Sequence, residues 1–289
     1  MGRILAFARL TRIEHSAMLV VAVIAAELIA GGLPAAPVLA LSLIVPIFIS
    51  MSSFAINDYF DVESDRENRR LDRPIVSGEI GRRGALYTAA VTLAVGLAAS
   101  AFINLYAFTI ALVFGALAML YSYRMKDMLL LGNVYIAFSM AIPFVFGDFV
   151  ASRSLVPSIL VIFFIIFLSG LAREIHGMVR DYRGDSRARK TRNLLYYIEK
   201  GRASQLAFLL YLEAVVLSLF LFFFEEPFLF NLAYLIPILA ADAMLLYVAA
   251  MHFVRSGAPF YRMARNLSLL AMGIALLSYL AAPLVHVFA

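Results

Sequence analysis

The stretch that decides how this sequence is interpreted is Asn57–Asp65 (NDYFDVESD), which follows a long apolar run and holds three aspartates within eight residues. Asp58, Asp61 and Asp65 are spaced i, i+3 and i+7, so on a helix their carboxylates share one face. Carboxylates this close together require a cation. Hard oxygen ligands at this density suit Mg²⁺, which usually keeps several waters and binds a few carboxylates together with substrate phosphates. The stretch therefore predicts a diphosphate-handling site at a membrane surface.

The composition indicates the class of protein around this motif. Hydrophobic residues make up 63% and charged residues 15% of the 289 residues, whereas roughly 25% of the residues of an ordinary globular domain are charged. Long apolar stretches recur from about residue 16 to the C-terminus, and no polar segment is long enough to fold by itself. We therefore expect one all-α integral membrane domain over residues 1–289.

The apolar stretches predict nine transmembrane helices. A short amphipathic helix within residues 1–16 is expected to lie at the membrane interface before them. Because the second and sixth helices each run into an aspartate cluster and a basic loop, the sequence suggests two four-helix pseudo-repeats followed by one further helix. The predicted spans cover approximately residues 17–37, 38–55, 84–104, 105–121, 128–147, 156–172, 203–224, 228–251 and 267–288.

The positions of the basic residues predict the orientation of the chain. Of the 24 lysines and arginines, all but Arg153 precede the first predicted span or lie in loops on that same side of the membrane. This asymmetry is typical of cytoplasmic loops, so we expect the N-terminus and both aspartate clusters in the cytoplasm and the C-terminus outside. The net charge of +5 then reflects orientation, and we expect no nucleic-acid partner. Cysteine is absent, which excludes disulfides, thiolate metal sites and a cysteine nucleophile.

A second acidic pair follows the sixth predicted helix. Asp181 and Asp185 are four residues apart, which places both carboxylates on one side of a helix. If the ends of the second and sixth helices meet across a bundle, up to five aspartates could hold Mg²⁺ ions that bridge the oxygens of a diphosphate and stabilise it as a leaving group. A DxxxD pair alone is also typical of a solvated loop, so the hypothesis depends on both clusters lying at the same membrane face.

Cations and tyrosines near the acids are candidate substrate contacts. Arginine binds phosphate oxygens in a bidentate manner and lysine acts as a point charge, but cations in such loops also orient the protein or bind anionic lipid head groups. Tyrosines could donate to phosphate or stabilise a carbocation through their rings, or lie at the interface without such a role. The candidates are Arg73, Lys126, Arg173, Tyr121 and Tyr123, with Arg69, Arg70, Arg124, Arg180 and Tyr59 beside them.

Together these residues resemble the UbiA superfamily of intramembrane prenyltransferases. The resemblance covers nearly the whole chain and implies a nine-helix bundle around a central cavity that opens sideways to the bilayer, where lipid substrates enter. It rests on four motifs, namely Asn57-Asp58-x-x-Asp61-x-x-x-Asp65, Arg73-Pro74-Ile75-x-Ser77-Gly78, the segment from Tyr121 to Lys126, and Asp181-x-x-x-Asp185.

The resemblance also implies roles for these residues. Ionisation of a prenyl diphosphate would give an allylic carbocation that a nucleophile on the acceptor captures, a reaction in which positioning and electrostatics dominate. The implied catalytic residues are Asp61, Asp181 and Lys126. The implied Mg²⁺ ligands are Asn57, Asp58, Asp61, Asp65, Asp181 and Asp185. The implied substrate contacts are Asn57, Arg73, Tyr121, Tyr123, Lys126 and Arg173, with Lys126 and Arg73 at the leaving diphosphate.

Within the superfamily the chain is similar to archaeal digeranylgeranylglyceryl phosphate synthases, which transfer geranylgeranyl to the free hydroxyl of geranylgeranylglyceryl phosphate and so make an ether lipid. Arg180 and Arg183 stand where acidic or neutral residues are expected in that branch. The resemblance implies a prenyl diphosphate and a membrane-embedded acceptor as partners, Mg²⁺ as cofactor and no obligate protein partner. The similar segments are Leu120–Lys126, Leu131–Asn133, Arg173–Ile175 and Asp181-x-x-Gly184-Asp185.

Three alternatives stay open. The first is an aromatic acceptor such as 4-hydroxybenzoate or a naphthoate. The second is a transporter or channel whose aspartates bind a permeant ion, although few acids lie at mid-depth apart from Glu27, Glu213 and Asp242. The third is a CDP-alcohol phosphotransferase, whose closely spaced DG…AR…G…D…D signature is missing from the sequence.

Overall fold

The computed structural model describes residues 2–128, 130–188 and 194–288, without the side chains of residues 3, 182–188, 196 and 286–288. Within these ranges the regular structure is entirely helical. The ten α-helices are α1 (Gly2–Thr11), α2 (Ser16–Ile29), α3 (Ala36–Glu67), α4 (Arg82–Ala101), α5 (Leu105–Tyr123), α6 (Leu131–Ala151), α7 (Pro157–Ala188), α8 (Lys200–Phe224), α9 (Leu232–Val254) and α10 (Ala258–Phe288). Short 3₁₀ turns at Ile13–His15, Met125–Asp127 and Leu194–Tyr196 precede α2, α6 and α8.

Eight helices, α3 to α10, are long and apolar enough to cross a membrane. In lipid every backbone polar group must be satisfied within the segment, which is why such apolar stretches form helices. The α2 helix has 14 residues, about 21 Å at the rise of an α-helix, whereas the hydrocarbon core is about 30 Å thick. The prediction of a multi-pass, all-α membrane protein is confirmed, and the ninth crossing and the pseudo-repeats stay predictions.

The α2 helix is shorter than the predicted span because it ends at Ile29, and the chain turns at both of its ends. Arg12 adopts a left-handed conformation before the first 3₁₀ turn. Gly31 and Gly32 follow the helix with φ angles of 129° and 121°, values that favour glycine. The helix packs against α3, α6 and α10 and so closes the bundle. At Gly147 in α6 an added Cβ would lie 2.8 Å from the Val23 carbonyl oxygen of α2, which shows how closely these two backbones approach.

The two helices that carry the aspartates are the longest in the described chain. Both α3 and α7 have 32 residues, about 48 Å each, which exceeds the thickness of the hydrocarbon core. Their polar ends therefore extend beyond the apolar layer. The α3 helix continues from the predicted second span through the stretch Asn57–Asp65 without a break, so the aspartates have the helical spacing that the sequence analysis assumed.

The N-terminal helix and the loop after α3 pack against this polar end. Leu10 of α1 is buried with Ile56 of α3, while Ile4 is 79% exposed, as expected for an interfacial helix. The chain between α3 and α4 has no regular helix, as its proline and glycine predict. In this loop Arg70 donates two hydrogen bonds of 3.1 Å to Asp72, and they lower the pKa of that carboxyl.

Candidate active site

A cavity of about 340 Å³ lies at the end of the bundle where α3 and α7 carry their aspartates; it is called the acidic cavity below. Asn57 and Asp61 line it from α3, and Asp181 lines it from α7. Asp61 and Asp181 are 120 residues apart in the sequence. The fold thus brings the two acidic clusters to one cavity, which is the juxtaposition on which the sequence hypothesis depends.

Two aspartates of the acidic cavity are paired with cations. Lys126, in the turn before α6, forms an ion pair with Asp61, and the two side chains are 14% and 19% exposed. Arg180 donates to Asp181 through Nε and Nη2 at 2.7 and 2.6 Å. Partial burial weakens the screening of such pairs by water. The acids and cations therefore balance one another at the membrane surface.

Asp58 lies outside the lining of this cavity. Its side chain is 1% exposed, and Oδ1 accepts hydrogen bonds from Arg12 at 2.9 Å and Arg73 at 3.1 Å. Asp65 also pairs with Arg73, with 3.7 Å between Oδ2 and Nε. Two predicted metal ligands and a predicted diphosphate contact thus hold the N-terminal segment and the loop after α3 against that helix.

The pitch of the helix explains why only part of the motif reaches the acidic cavity. At 3.6 residues per turn, Asn57 and Asp61 are about 40° apart around the axis, and Asp58 lies about 100° from Asn57. Asn57 and Asp61 lie on the side of this helical face that meets the cavity, and Asp58 lies on the side toward Arg12.

The remaining predicted residues are divided in the same way. Tyr121 and Arg173 line the acidic cavity, and the Tyr121 ring stacks on Tyr135 with centroids 4.8 Å apart. Tyr123 is 66% exposed, and its ring packs edge-on against Phe60 outside the cavity lining. Asp185 belongs to α7, and its side chain lies outside the described residues.

A stacked histidine pair, which no sequence pattern indicated, lies in the cavity wall. The rings of His176 and His252 are parallel, with centroids 3.6 Å apart. His252 Nδ1 lies 2.8 Å from the Val248 carbonyl oxygen, which only accepts, so Nδ1 carries a proton. Neither ring nitrogen of His176 has a hydrogen-bond partner within the described chain, and both are buried. The histidines are 76 residues apart, and only the packing of α7 against its neighbours brings them together.

The donor set fits a metal ion whose coordination is completed by a substrate. Among the described residues, no group of three acidic or histidine side chains is arranged to hold a metal ion by itself. Asn57, Asp61 and Asp181 nevertheless present hard oxygen atoms from two helices to one cavity. Mg²⁺ is commonly bound through one or two carboxylates together with phosphate oxygens. The residues therefore fit Mg²⁺ that is bound together with a diphosphate.

The class of protein follows from comparison with known families. Residues 18–277 match the family model described as the UbiA prenyltransferase family. The chain belongs to this family and is a membrane-bound prenyltransferase.

Similar proteins of assigned function include archaeal digeranylgeranylglyceryl phosphate synthases. The enzyme of Archaeoglobus fulgidus is 35% identical over 243 residues, which cover 84% of this chain and 83% of that protein. The enzyme of Thermococcus kodakarensis is 29% identical and covers 97% of this chain and 99% of its own length.

Solved structures show the same fold. One described as digeranylgeranylglyceryl phosphate synthase has a TM-score of 0.82 and 26% identity, and covers 98% of this chain and 99% of its own. A UbiA homolog from Archaeoglobus fulgidus bound to DMAPP and Mg²⁺ has a TM-score of 0.71 and 23% identity, with coverage of 98% and 99%.

Proposed function

We propose that this prenyltransferase transfers geranylgeranyl from its diphosphate to the free hydroxyl of geranylgeranylglyceryl phosphate, and so forms an ether bond of a membrane lipid. The observation that carries the proposal is the acidic cavity, in which Asp61 and Asp181 lie together beside Lys126. The acceptor is supported by the relatives that bear this name along most of the chain.

The donor diphosphate would bind at the acidic cavity. Asn57, Asp61 and Asp181 are the residues that would hold Mg²⁺ there, and Mg²⁺ when bound neutralises a leaving diphosphate. Asp65 and Asp185 are further predicted ligands. Asp58 is the remaining predicted ligand. Its Oδ1 already accepts hydrogen bonds from Arg12 and Arg73, so Asp58 would instead fix the position of α3.

Cations and rings of the chain would then complete the site. Lys126 would exchange its pairing with Asp61 for one with the diphosphate, and Arg173 would add a bidentate contact. The stacked rings of Tyr121 and Tyr135 would lie near the allylic cation, where an aromatic face is stabilising. Each contact is strongest when the carbon–oxygen bond is breaking, which is the condition for lowering the barrier.

Membership of a prenyltransferase family leaves the transporter and phosphotransferase alternatives without support. The positions of the mid-depth acids also do not support an ion path. Asp242 accepts a hydrogen bond of 2.6 Å from Ser218, Glu27 is fully buried among helices, and Glu213 lies on the exposed outer face of α8. They form no series that leads through the bundle.

The orientation is part of the proposal. The polar ends of α3 and α7 lie on the side that carries all but one of the basic residues, which supports a cytoplasmic acidic cavity. We infer that α2 crosses the membrane as a ninth span despite its length, because it is packed among α3, α6 and α10. The C-terminus then lies outside.

An acceptor panel tests this function. Purified protein in neutral lipid vesicles is given geranylgeranyl diphosphate and Mg²⁺ with geranylgeranylglyceryl phosphate, 4-hydroxybenzoate or a dihydroxynaphthoate, and products are identified by mass spectrometry. We expect an ether-linked product from the glyceryl phosphate acceptor. Product from an aromatic acceptor alone would replace this proposal with the quinone-type alternative.

A further inference from the structure

A second cavity, of about 700 Å³, lies beside the acidic cavity and is called the basic cavity below. Its walls are the end of α7, the start of α8, the end of α9 and the start of α10. Three residues, Arg180, His252 and Tyr261, line both cavities. The two cavities are therefore adjacent and share a wall.

The basic cavity differs in charge from its neighbour, whose lining holds both carboxylates and cations. Among the described residues that line it there are four cations, Arg180, Lys200, Arg255 and Arg262, and no carboxylate. Arg255 and Arg262 are exposed in the connection between α9 and α10 and in the first turns of α10. Arg180 is paired with Asp181. A concave surface whose charged lining groups are all cations concentrates anions. The start of α8, a helix of 25 residues, adds the positive end of its dipole at Lys200 and Gly201.

The two cavities suit two different anions. A diphosphate that is bound to Mg²⁺ requires carboxylates to hold the metal ion, and the acidic cavity supplies them. A phosphate monoester without a metal requires arginine and lysine donors, because a carboxylate would repel it. The basic cavity supplies only the second kind of partner. It is thus unsuited to the donor diphosphate and suited to a phosphate that is not lost in the reaction.

We propose that the basic cavity binds the phosphate group of the prenyl acceptor, and this assignment rests on the function proposed above. Glycerol has three carbons, so the free hydroxyl of geranylgeranylglyceryl phosphate lies within a few bonds of its phosphate. A phosphate held by Arg255 and Arg262 beside the shared wall leaves the hydroxyl on the side of the acidic cavity. The hydroxyl oxygen then faces the carbon from which the diphosphate departs.

The acidic cavity offers partners for that hydroxyl. His176 is 7% exposed, lines the acidic cavity and leaves both ring nitrogens without a hydrogen-bond partner within the described residues. The Tyr211 hydroxyl, also in this lining, is buried and unpaired in the same way. Buried polar groups of native proteins are nearly always satisfied. A ligand hydroxyl in the acidic cavity would supply a donor and an acceptor where the described residues supply neither.

The experiment compares a double variant, Arg255→Ala with Arg262→Ala, with wild type in neutral lipid vesicles. The acceptors are geranylgeranylglyceryl phosphate and geranylgeranylglycerol, which lacks the phosphate. We expect the double variant to raise KM for the phosphorylated acceptor about tenfold or more, as for the loss of charge-assisted hydrogen bonds. KM for geranylgeranyl diphosphate, and the rate with geranylgeranylglycerol, are expected to stay near the wild-type values.

A matched control removes the same charge from the same membrane face. Arg66→Ala with Arg83→Ala changes two exposed arginines that line neither cavity, and it is expected to leave KM for the phosphorylated acceptor unchanged. An equal rise of KM in both double variants would mean that total surface charge attracts the acceptor, which would overturn a specific phosphate site.

Further arms separate the two sources of phosphate and the two proposals. If the basic cavity holds anionic lipid head groups, KM in neutral vesicles is unchanged in the double variant, and only the response to added phosphatidylglycerol is lost; this outcome overturns the acceptor assignment. If wild-type protein makes the ether product and the double variant has the same KM in every vesicle, the basic cavity is excluded while the function stands. Wild-type protein that makes no ether product overturns both.

Discussion

Arg12 donates a hydrogen bond of 2.9 Å to Asp58 Oδ1, and this contact attaches the N-terminal segment to the acidic stretch of α3. Arg12 stands in a left-handed conformation between α1 and the 3₁₀ turn before α2. Arg73 reaches the same carboxylate oxygen from the loop after α3. Asp58 therefore joins three separate parts of the chain, a role that its place in a metal-binding motif does not indicate.

Replacement of Asp58 is expected to act on stability. Asp58→Ala leaves two partly buried guanidinium groups without their carboxylate, and the loss of one partner of a buried pair costs about 3–5 kcal/mol. We expect Tm in detergent to fall clearly, and protease cleavage in the loop after α3 to become faster. A variant that keeps the wild-type Tm would contradict the structural role of this pair.

Replacement of Asp61 is expected to act on catalysis instead. Asp61→Asn keeps the shape of a side chain that is 19% exposed and still offers Lys126 an amide oxygen as acceptor, so Tm should fall by less than in Asp58→Ala. Prenyl transfer is expected to fall by roughly a thousandfold, the scale of loss when one electrostatic contact to a developing charge is removed. Single-turnover release of diphosphate measures the effect. Rapid release by Asp61→Asn would exclude Asp61 from the donor site.

Removal of divalent metal tests how the donor is held. We expect EDTA to abolish transfer and Mg²⁺ to restore it. In Asp181→Asn the concentration of Mg²⁺ required for half-maximal rate is expected to rise, because one oxygen ligand of the acidic cavity is weakened. Asp72→Asn provides a control with the same change of charge, since the Asp72 side chain is 63% exposed and lines neither cavity. Undiminished transfer in EDTA would refute the metal requirement.

The contact between α2 and α6 predicts a difference between two glycine substitutions. In Gly147→Ala the new methyl group would lie 2.8 Å from the Val23 carbonyl oxygen and 2.8 Å from the Ala26 Cβ, and overpacking of this kind costs about 1–3 kcal/mol. In Gly273→Ala the methyl group would meet no atom within 4 Å, so we expect Tm to be unchanged or slightly raised. Equal Tm values for the two variants would argue against tight packing of α2.

The absence of cysteine allows the topology to be measured with single cysteines. Ser154→Cys, beside Arg153, is expected to react with an impermeant maleimide from outside the cell, and Ser77→Cys only after the membrane is opened. Leu33→Cys reports on α2, because residue 33 is 49% exposed and follows that helix. Glu14→Cys reports on the other end of α2, since the Glu14 side chain is 69% exposed. Labelling of Leu33→Cys from outside, with Glu14→Cys labelled only after the membrane is opened, supports a ninth span. Labelling of both from outside would show that α2 does not cross the membrane.

The sequence predicted the parts of this fold that depend on local composition. Apolar stretches in lipid form helices, and the eight long helices all lie within or around predicted spans. The end of α3 was harder to predict, because the helix continues past the apolar residues to Glu67. Hydrophobicity indicates which residues lie within the membrane. It does not indicate where a helix ends once it has left the membrane.

The site was predictable in outline and less so in detail. The i, i+3, i+7 spacing indicated one helix face but not which edge of it meets the cavity, since that depends on Arg12, 46 residues before Asp58. The pairing of His176 with His252 depends on tertiary packing in the same way. Contacts between distant positions require the arrangement of the helices, which no local pattern contains.

The ion pair between Lys126 and Asp61 has a consequence for the order in which ligands bind. A metal ion that approaches Asp61 alone must displace an ammonium group, and a diphosphate that approaches Lys126 alone must displace a carboxylate. When both bind, the metal ion pairs with Asp61 and the diphosphate pairs with Lys126, so no charge is left uncompensated. The free energies of the two binding events are therefore linked, and by reciprocity each ligand raises the affinity for the other to the same degree.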